Sequence, residues 1–482
     1  MAEEIPQNMY KPLCVDLDGT LIYTDTLMES MLLAIRKKPC ILLFLPFWIM
    51  SGRYNFKTKI GKIALPNPET LPYRKEMLDY LKAEKAKGRQ IVLATATIKE
   101  IAESVAVHLG IFDKVLGSEN SNNLRSKNKR DQLIELFGEK GFDYAGDSHA
   151  DLAVWKAADN AIMVEPSSGM VNKVKETTNI EKIYNEKKNK FKLYIKEIRI
   201  HQWLKNLLIF LPLLLAHKIT NLNLFICDFL AFISFSLTAS AVYILNDLLD
   251  LEADRHHPRK RKRPFASGYI ALQSGFLIAP LLIIAGGLIS VIFLPVNYSI
   301  YLLIYFTLTS AYSFLLKKMP IFDVIILACL YTLRLIAGAA AVKVEMSPWL
   351  LGFSIFLFLS LAFIKRYQEL SVIKEQNENM PAGRGYMVND MNLILNLGPV
   401  CGYISVLVLA LYVNGKEVLS LYKTPELLWV VVIVHLFWIS RMWLLAYRGK
   451  MDDDPIVFTG KDPVSYIVGL IVAVLAIGAA LW

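Results

Sequence analysis

Cysteine is scarce in this chain. Cys14, Cys40, Cys227, Cys329 and Cys401 are the only five in 482 residues. Their spacing fits neither a disulfide framework nor a cysteine-ligated metal site, so they read as core or lipid-facing filler. No amino-terminal signal peptide is expected, because the start is acidic and the first apolar segment reads as part of a folded domain. Charged residues make up only 20% of the chain against 54% hydrophobic, and the mean hydropathy is +0.39. That balance excludes a wholly soluble protein, and the length excludes a single domain. The net charge of +10 suits anionic lipid headgroups and phosphate ligands and argues against nucleic acid.

What is present is unevenly distributed. Residues 1–190 mix strand-like, helix-like and charged segments as a soluble α/β domain does, ending in a polar linker, Ile183–Lys192, with NEKKNK in its middle. Residues 191–482 alternate long apolar runs with short polar loops. Nine spanning segments are expected, roughly 203–217, 223–245, 272–294, 298–316, 321–341, 349–364, 393–413, 426–446 and 464–482. With the amino-terminal domain in the cytoplasm, the loops 246–270, 317–320, 365–392 and 447–463 lie there too. Those loops hold 15 Lys and Arg, against four in the outer loops, Lys218, Lys343, Lys416 and Lys423. A multi-pass protein of a bacterial plasma membrane is expected, with every charged motif on the cytoplasmic side; a homo-oligomer is compatible with the sequence.

The soluble domain carries its chemistry at strand ends. Leu13-Cys14-Val15 reads as a buried strand running into Asp16-Leu17-Asp18-Gly19-Thr20, which delivers two carboxylates together. Ile91-Val92-Leu93-Ala94 ends at Thr95, and Phe142-Asp143-Tyr144-Ala145 delivers Gly146-Asp147-Ser148-His149-Ala150-Asp151. In a parallel sheet, ligands gather at the carboxyl ends of strands, so the three clusters can meet in one site. DxDGT, Thr, Lys and GDSxxD in that order resemble the haloacid dehalogenase superfamily of phosphotransferases over about residues 10–165, implying a Rossmann-like α/β fold. The resemblance implies that Asp16 is the nucleophile, Asp18 the general acid/base, Thr95 a phosphate ligand and Lys129, or else Lys127, the neutralising cation. It also implies magnesium held by Asp16, Asp18, Asp147 and Asp151.

Residues 21–70 take the place of a helical cap in that superfamily. They include Cys40–Met50, eleven residues without a charge, flanked by Arg36-Lys37-Lys38 and Arg53. Two readings stand side by side: buried cap core, or an interfacial element dipping into the membrane, since eleven residues cannot span it.

Between the second and third apolar segments lies Asn246–Gly268, NDLLDLEADRHHPRKRKRPFASG. Asp247, Asp250 or Glu252, and Asp254 recur at spacings of three and four, so their carboxylates can share hard cations. Arg259, Lys260 and Arg263 can then grip phosphate oxygens. With nine helices and NDxxDxxxD followed by RPxxxG, the membrane half resembles the UbiA superfamily of intramembrane prenyltransferases, an all-α bundle. Ordinary members carry a second aspartate-rich loop after the sixth helix; here the expected loop is Lys365-Arg366-Tyr367-Gln368-Glu369. That departure is similar to one branch, the decaprenyl-phosphate phosphoribosyltransferases. The likeness also rests on His257-Pro258-Arg259-Lys260, Arg199–Asn206, Tyr331 and Arg334, Arg384-Gly385-Tyr386, and Arg448-Gly449 with Asp453-Asp454-Pro455.

The branch resemblance implies phosphoribosyl diphosphate as donor and a polyprenyl phosphate as acceptor. Magnesium on Asp247, Asp250 and Asp254 would bind the donor diphosphate. Lys205, Asn246, Lys260 and Arg263 would share that task or hold the 5-phosphate, and Lys365, Arg366, Arg334 and Tyr386 would complete the substrate site. Arg334, within a helix, has a plainer reading as an arginine tied to helix carbonyls or to a carboxylate such as Asp323. The fused phosphatase would remove the 5-phosphate of the product. The alternative is a prenyltransferase that moves a prenyl chain onto an aromatic or other acceptor, with an accessory phosphatase.

Overall fold

The computed structural model describes residues 10–119, 123–186, 189–376, 380, 384–415, 418, 421–451 and 454–481. Lys187 and Lys188 of the linker, Lys416 and Asp453 lie outside them, as does the side chain of Arg53. Two compact units form, Met1–Glu197 with Ile244–Leu277, and Ile198–Tyr243 with Ile278–Trp482.

The first unit is built on a six-stranded parallel sheet. Its strands are β1 (Leu13–Val15), β2 (Ile91–Ile98), β3 (Lys114–Ser118), β4 (Asp143–Gly146), β5 (Asn160–Val164) and β6 (Asn179–Tyr184), in the order β3-β2-β1-β4-β5-β6. β1, β2 and β4 are almost wholly buried, as continuous apolar runs in a parallel sheet covered on both faces must be. Val15 registers with Leu93 on one side and Ala145 on the other, so β1 and β4 end side by side at the point where the chain order reverses, while β2 runs on to Ile98 and keeps Thr95 within the strand.

The cap is helical, as expected: α1 (Thr26–Lys37), α2 (Ile41–Met50) and α3 (Arg53–Gly61). Asp25 starts α1 by accepting the amide protons of Leu27 and Met28. Around the sheet pack α4 (Lys75–Ala86), α5 (Lys99–Leu109), α6 (Lys127–Phe137), α7 (Leu152–Ala157) and α8 (Ser168–Lys175). The reading of Cys40–Met50 as buried cap core is corrected: α2 buries Ile41 alone, and most of its other side chains are open.

The membrane half is a helical bundle. Eight helices among the described residues are long and apolar enough to cross a membrane: Lys190–Leu215, Leu222–Leu249, Leu272–Phe293, Phe322–Val342, Pro348–Glu375, Val388–Val413, Pro425–Tyr447 and Pro463–Leu481. The fourth of the nine expected segments is a helix too, Val296–Phe314, but Asn297 and four tyrosines make it less apolar than the rest. The sixth runs to Glu375 rather than ending at 364. Lys365–Glu369 is therefore helical and not a loop, because nothing between Pro348 and Gln376 breaks the helix and its charges find partners. Ser347 accepts from the Trp349 amide, and Pro348 supplies a first-turn φ at no hydrogen-bond cost.

Candidate functional site

Three adjacent strands deliver residues expected in the first unit's site. Past β1 the Asp16 amide still bonds to Ala145 O at 3.0 Å, and the chain then turns as Leu17 N donates to Asp16 Oδ1 at 2.8 Å. Gly19 sits at φ +76°, and a Cβ there would lie 2.2 Å from Asp147 Oδ2. Only glycine lets the β1 loop approach the β4 carboxylate so closely.

Asp16, Asp147 and Asp151 each offer an oxygen within 4.8 Å of the others. Lys129 is buried beside them, its Nζ 3.0 Å from Asp16 Oδ2 and 3.6 Å from Asp151 Oδ1, and it donates to the Tyr144 hydroxyl at 2.8 Å. Tyr144 in turn donates to Asp151 Oδ1 at 2.7 Å. Ser148 donates from its amide and hydroxyl to Asp151 Oδ2, at 3.1 and 2.9 Å. Lys127, the alternative cation, opens the same helix, α6; the lysine brought to Asp16 is Lys129.

Burial, with the charges of Asp16 and Asp151, pushes the Asp147 carboxyl up to about 8. Burial likewise raises Asp16 to about 6, although Lys129 opposes it. A cluster of carboxylates that holds protons this firmly carries more negative charge than one lysine balances. Hard oxygen donors with excess charge fit a magnesium ion.

Asp18, expected among the metal ligands, stands apart from this group. Its Oδ1 accepts from Thr26 N at 2.8 Å, and its Oδ2 from the hydroxyls of Thr97 and Thr26, at 2.7 and 3.2 Å. Burial and the Asp25 charge raise it to about 7. It borders a pocket also lined by Asp25, Thr26, Ser30, Thr97 and Lys57, the last from α3 with its Nζ on Ala96 O at 2.7 Å. Thr95 is fully buried, and its hydroxyl accepts from Thr97 N at 3.1 Å. The sequence reading missed Thr97, which touches Asp18 directly. Threonines two apart on a strand face the same way, so the TAT of β2 offered both.

The aspartate-rich segment belongs to the same compact unit. Asp247 ends the Leu222–Leu249 helix and Asp254 lies in the short helix Leu251–His256; both are buried. Arg263 Nη1 bridges them, 2.9 Å from Asp247 Oδ1 and 2.6 Å from Asp254 Oδ2. Burial raises Asp254 to about 6 despite Arg263. Among the described residues Asp247, Asp250 and Asp254 do not form a three-carboxylate cluster like that of Asp16, Asp147 and Asp151. Still, two carboxylates within 3 Å of one cationic nitrogen converge as ligands of a hard cation must, so the residues fit magnesium there.

Arg263, expected to grip phosphate, thus holds the motif together, while Asn246, Asp250 and Lys260 are half-buried around it. Arg255 is tied to the cap: its guanidinium donates to both Glu29 oxygens at 3.0 and 2.6 Å, and its Nε donates to Ala266 O. Gly268 of RPxxxG has φ +75°, with the Tyr23 Cβ 2.4 Å from where its own would stand.

In the second unit the expected substrate residues fall into two clusters. Lys205 is buried and pairs with Asp454, and Lys365 Nζ is 3.5 Å from the same Asp454 oxygen. Although burial opposes it, the two lysines hold the Asp454 carboxyl well below its ordinary value. Arg334 Nε donates to Asn206 Oδ1 at 2.9 Å and Nη1 to Leu330 O at 2.5 Å, and the rings of Phe235, Tyr305 and Tyr331 surround it. Its plainer reading as an arginine tied to a helix carbonyl describes these contacts, but Asp323 is not its partner.

Asp323 belongs to the second cluster. It accepts from Arg366 Nε at 2.6 Å and from the Tyr386 hydroxyl at 2.8 Å. Arg366 also pairs with Glu369 and donates to Tyr312 at 3.0 Å, and it is 1% exposed. Arg366 and Tyr386, expected in the substrate site, are thus packed into a buried network joining three helices and the Arg384–Tyr386 stretch, where an unpaired charge would be costly.

Residues 207–461 match the UbiA prenyltransferase family, and residues 55–156 match the haloacid dehalogenase-like hydrolases. The chain belongs to the UbiA prenyltransferase family and joins to that membrane domain a haloacid dehalogenase-type hydrolase domain. Among its relatives is a Sinorhizobium fredii protein called uncharacterized protein y4nM, 38% identical over 96% of this chain and 90% of that one. Nodulation protein NoeC of Azorhizobium caulinodans is 34% identical over 58% of this chain and 90% of its own length. Decaprenyl-phosphate phosphoribosyltransferase of Mycolicibacterium smegmatis is 37% identical over 183 residues, 37% of this chain and 57% of that enzyme. The protein is therefore a multi-pass membrane enzyme, a UbiA-family transferase fused to a hydrolase.

Proposed function

We propose that the membrane half transfers 5-phosphoribose from phosphoribosyl diphosphate to a polyprenyl phosphate of decaprenyl type, releasing diphosphate, and that the amino-terminal domain then removes the 5-phosphate. The observation that carries this reading is the pairing of Lys205 and Lys365 on the single carboxylate Asp454. Two cations on one anion leave net positive charge, which suits an acceptor that arrives already ionised. A phosphate monoester bound by lysines needs no strong base to attack an anomeric carbon. The partial identity to a decaprenyl-phosphate phosphoribosyltransferase supports the same substrate class.

In transfer, an acceptor phosphate oxygen bonds to the ribose anomeric carbon as the bond to diphosphate breaks, and the leaving group carries away the electron pair. In this reading Lys205, expected on the donor side, joins Lys365 in positioning the acceptor, and Asp247, Asp250 and Asp254 bind the donor's diphosphate. In hydrolysis, an Asp16 oxygen attacks phosphorus while the ester oxygen leaves with a proton from Asp18, whose raised pKa keeps it a competent acid near neutrality. Water then cleaves the aspartyl-phosphate, returning its proton to Asp18, and Lys129 balances the phosphoryl charge throughout. Asp16, Asp147 and Asp151, and the aspartate-rich segment, would hold magnesium, which would supply charge neutralisation of phosphoryl oxygens. Both sites face the cytoplasm of a bacterial plasma membrane in this reading.

The test supplies purified protein with magnesium, radiolabelled phosphoribosyl diphosphate and polyprenyl phosphate. A lipid-soluble labelled product is expected. Its absence, together with prenyl transfer from a prenyl diphosphate to an aromatic acceptor, would replace this reading with the prenyltransferase one.

A further inference from the structure

The cap helix α2 has an unusual surface for a helix of a hydrolase domain. Its sequence, ILLFLPFWIM, holds no charge, yet Leu43 is 74%, Phe47 70% and Met50 86% exposed, and Leu42, Phe44 and Ile49 are at least half open. Leu45 and Trp48 are the side chains that pack back onto the cap cluster of Met31, Ala34, Ile35 and Ile60. An apolar surface of this kind facing water carries a hydrophobic penalty that some covering must offset.

Two further observations identify the covering. From Ser30 to Pro68 there is no Asp or Glu, whereas Arg36, Lys37, Lys38, Arg53, Lys57, Lys59 and Lys62 all fall there. Lys37, Lys38, Lys59 and Lys62 are exposed, and Lys59 stands 5.9 Å over the Trp48 ring. The cap cluster also packs against Leu249 and Phe276, the last residue of one membrane-crossing helix and a residue in the first turns of the next. The cap thus lies at the ends of two spans, which is the level of a lipid headgroup layer. Ten residues of helix are about 15 Å long, too short to cross a bilayer but suited to lying in its surface.

We propose that α2 lies in the headgroup–acyl boundary of the adjacent leaflet, its open apolar side chains among the lipid chains and the cap's lysines on anionic headgroups. The partner is the lipid surface itself, whichever group the membrane half transfers. Because α3 of the same cap reaches the hydrolase pocket through Lys57, an embedded α2 holds that pocket against the membrane, where a phosphomonoester carried on a lipid is found.

The test uses the full chain in phosphatidylglycerol–phosphatidylcholine nanodiscs, with Cys40→Ser as background and spin labels on Leu43→Cys, Phe47→Cys, Met50→Cys and, as an exposed reference on α5, Val107→Cys. Collisions with oxygen should exceed those with a water-soluble nickel chelate at 43, 47 and 50, and the order should reverse at 107. Nickel-dominated collisions at all four positions overturn the proposal, as does protection from both reagents at 43, 47 and 50, which would mean that protein covers the helix. Separately, Leu43→Glu with Phe47→Glu should lower hydrolysis of a lipid-borne phosphomonoester by about tenfold while leaving a soluble aryl phosphate ester unchanged. Equal loss on both substrates, or loss on neither, overturns the role in presenting lipid substrate.

Discussion

At the strand ends of the hydrolase domain, Asp16, Asp147 and Asp151 surround one lysine, Lys129, whereas in the membrane half Lys205 and Lys365 surround one carboxylate, Asp454. The protonation behaviour follows the ratio. Asp16 and Asp147 are pushed up by burial and by their like-charged neighbours, and Asp454 is pulled down by its two lysines. The first arrangement gains by taking up a cation and the second by taking up an anion. Between these extremes stands Arg263, one cation on the two carboxylates Asp247 and Asp254. A ligand there must replace an internal pair and not merely enter a charged cavity.

The sharpest break in this comparison is Asp16→Asn. It removes the proposed nucleophile but leaves the lysine pair of the membrane half untouched, so phosphate release should fall by about a thousandfold or more while transfer continues. The lipid product should then keep its 5-phosphate. Wild-type phosphate release by this variant would sink the assignment of the hydrolase site.

Next in size is Asp254→Asn, which leaves Arg263 with one charged partner and takes one carboxylate from the aspartate-rich segment. Transfer should drop by about a hundredfold, with hydrolysis of a soluble phosphate ester unchanged. Normal transfer kinetics would mean that the Asp247–Asp254 pair serves packing alone.

A third effect lies in stability. Glu29 and Arg255 are a buried bidentate pair between α1 of the cap and the aspartate-rich segment, with side chains 4% and 8% exposed. Glu29→Ala strands a buried guanidinium and should cost about 3 kcal/mol, lowering the melting temperature; adding Arg255→Ala should recover part of the loss. An unchanged melting temperature in the single variant would show that water already solvates the pair.

Much of this was legible in the residues. The buried runs of β1, β2 and β4 and their polar ends specify a parallel sheet with a site at one edge, because only that geometry brings Asp16, Lys129 and Asp147 together. Apolar length located the spans. The partners of buried charges were not legible. KRYQE has the composition of a loop, yet Asp323, Tyr312 and Glu369 satisfy Arg366 so fully that the helix continues through it. Glu369 is one turn away, but Asp323 and Tyr312 lie 43 and 54 residues away, and no local pattern records those two. The exposure of α2 was equally hidden, since an uncharged apolar run reads the same whether it is core or membrane-facing.

The smallest perturbation concerns protons. Asp147 at about 8 and Asp16 at about 6 are both above the ordinary carboxyl value of 3.8, so the folded, metal-free site holds more protons than the unfolded chain. Without magnesium the contribution of these groups to stability is therefore greatest at low pH, and it is lost as pH rises from about 4 toward 8. Magnesium must displace the same protons, so its binding should weaken by about a hundredfold from pH 8 to pH 6, with about one and a half protons released per ion at the lower pH and about half a proton at the higher. Calorimetry in buffers of different ionisation enthalpy counts those protons, and a variant carrying Asp16→Asn and Asp147→Asn subtracts what the membrane half contributes. Proton release that is the same at both pH values would mean that the carboxylates are already ionised, and the contrast with Asp454 would then lie in geometry and not in charge.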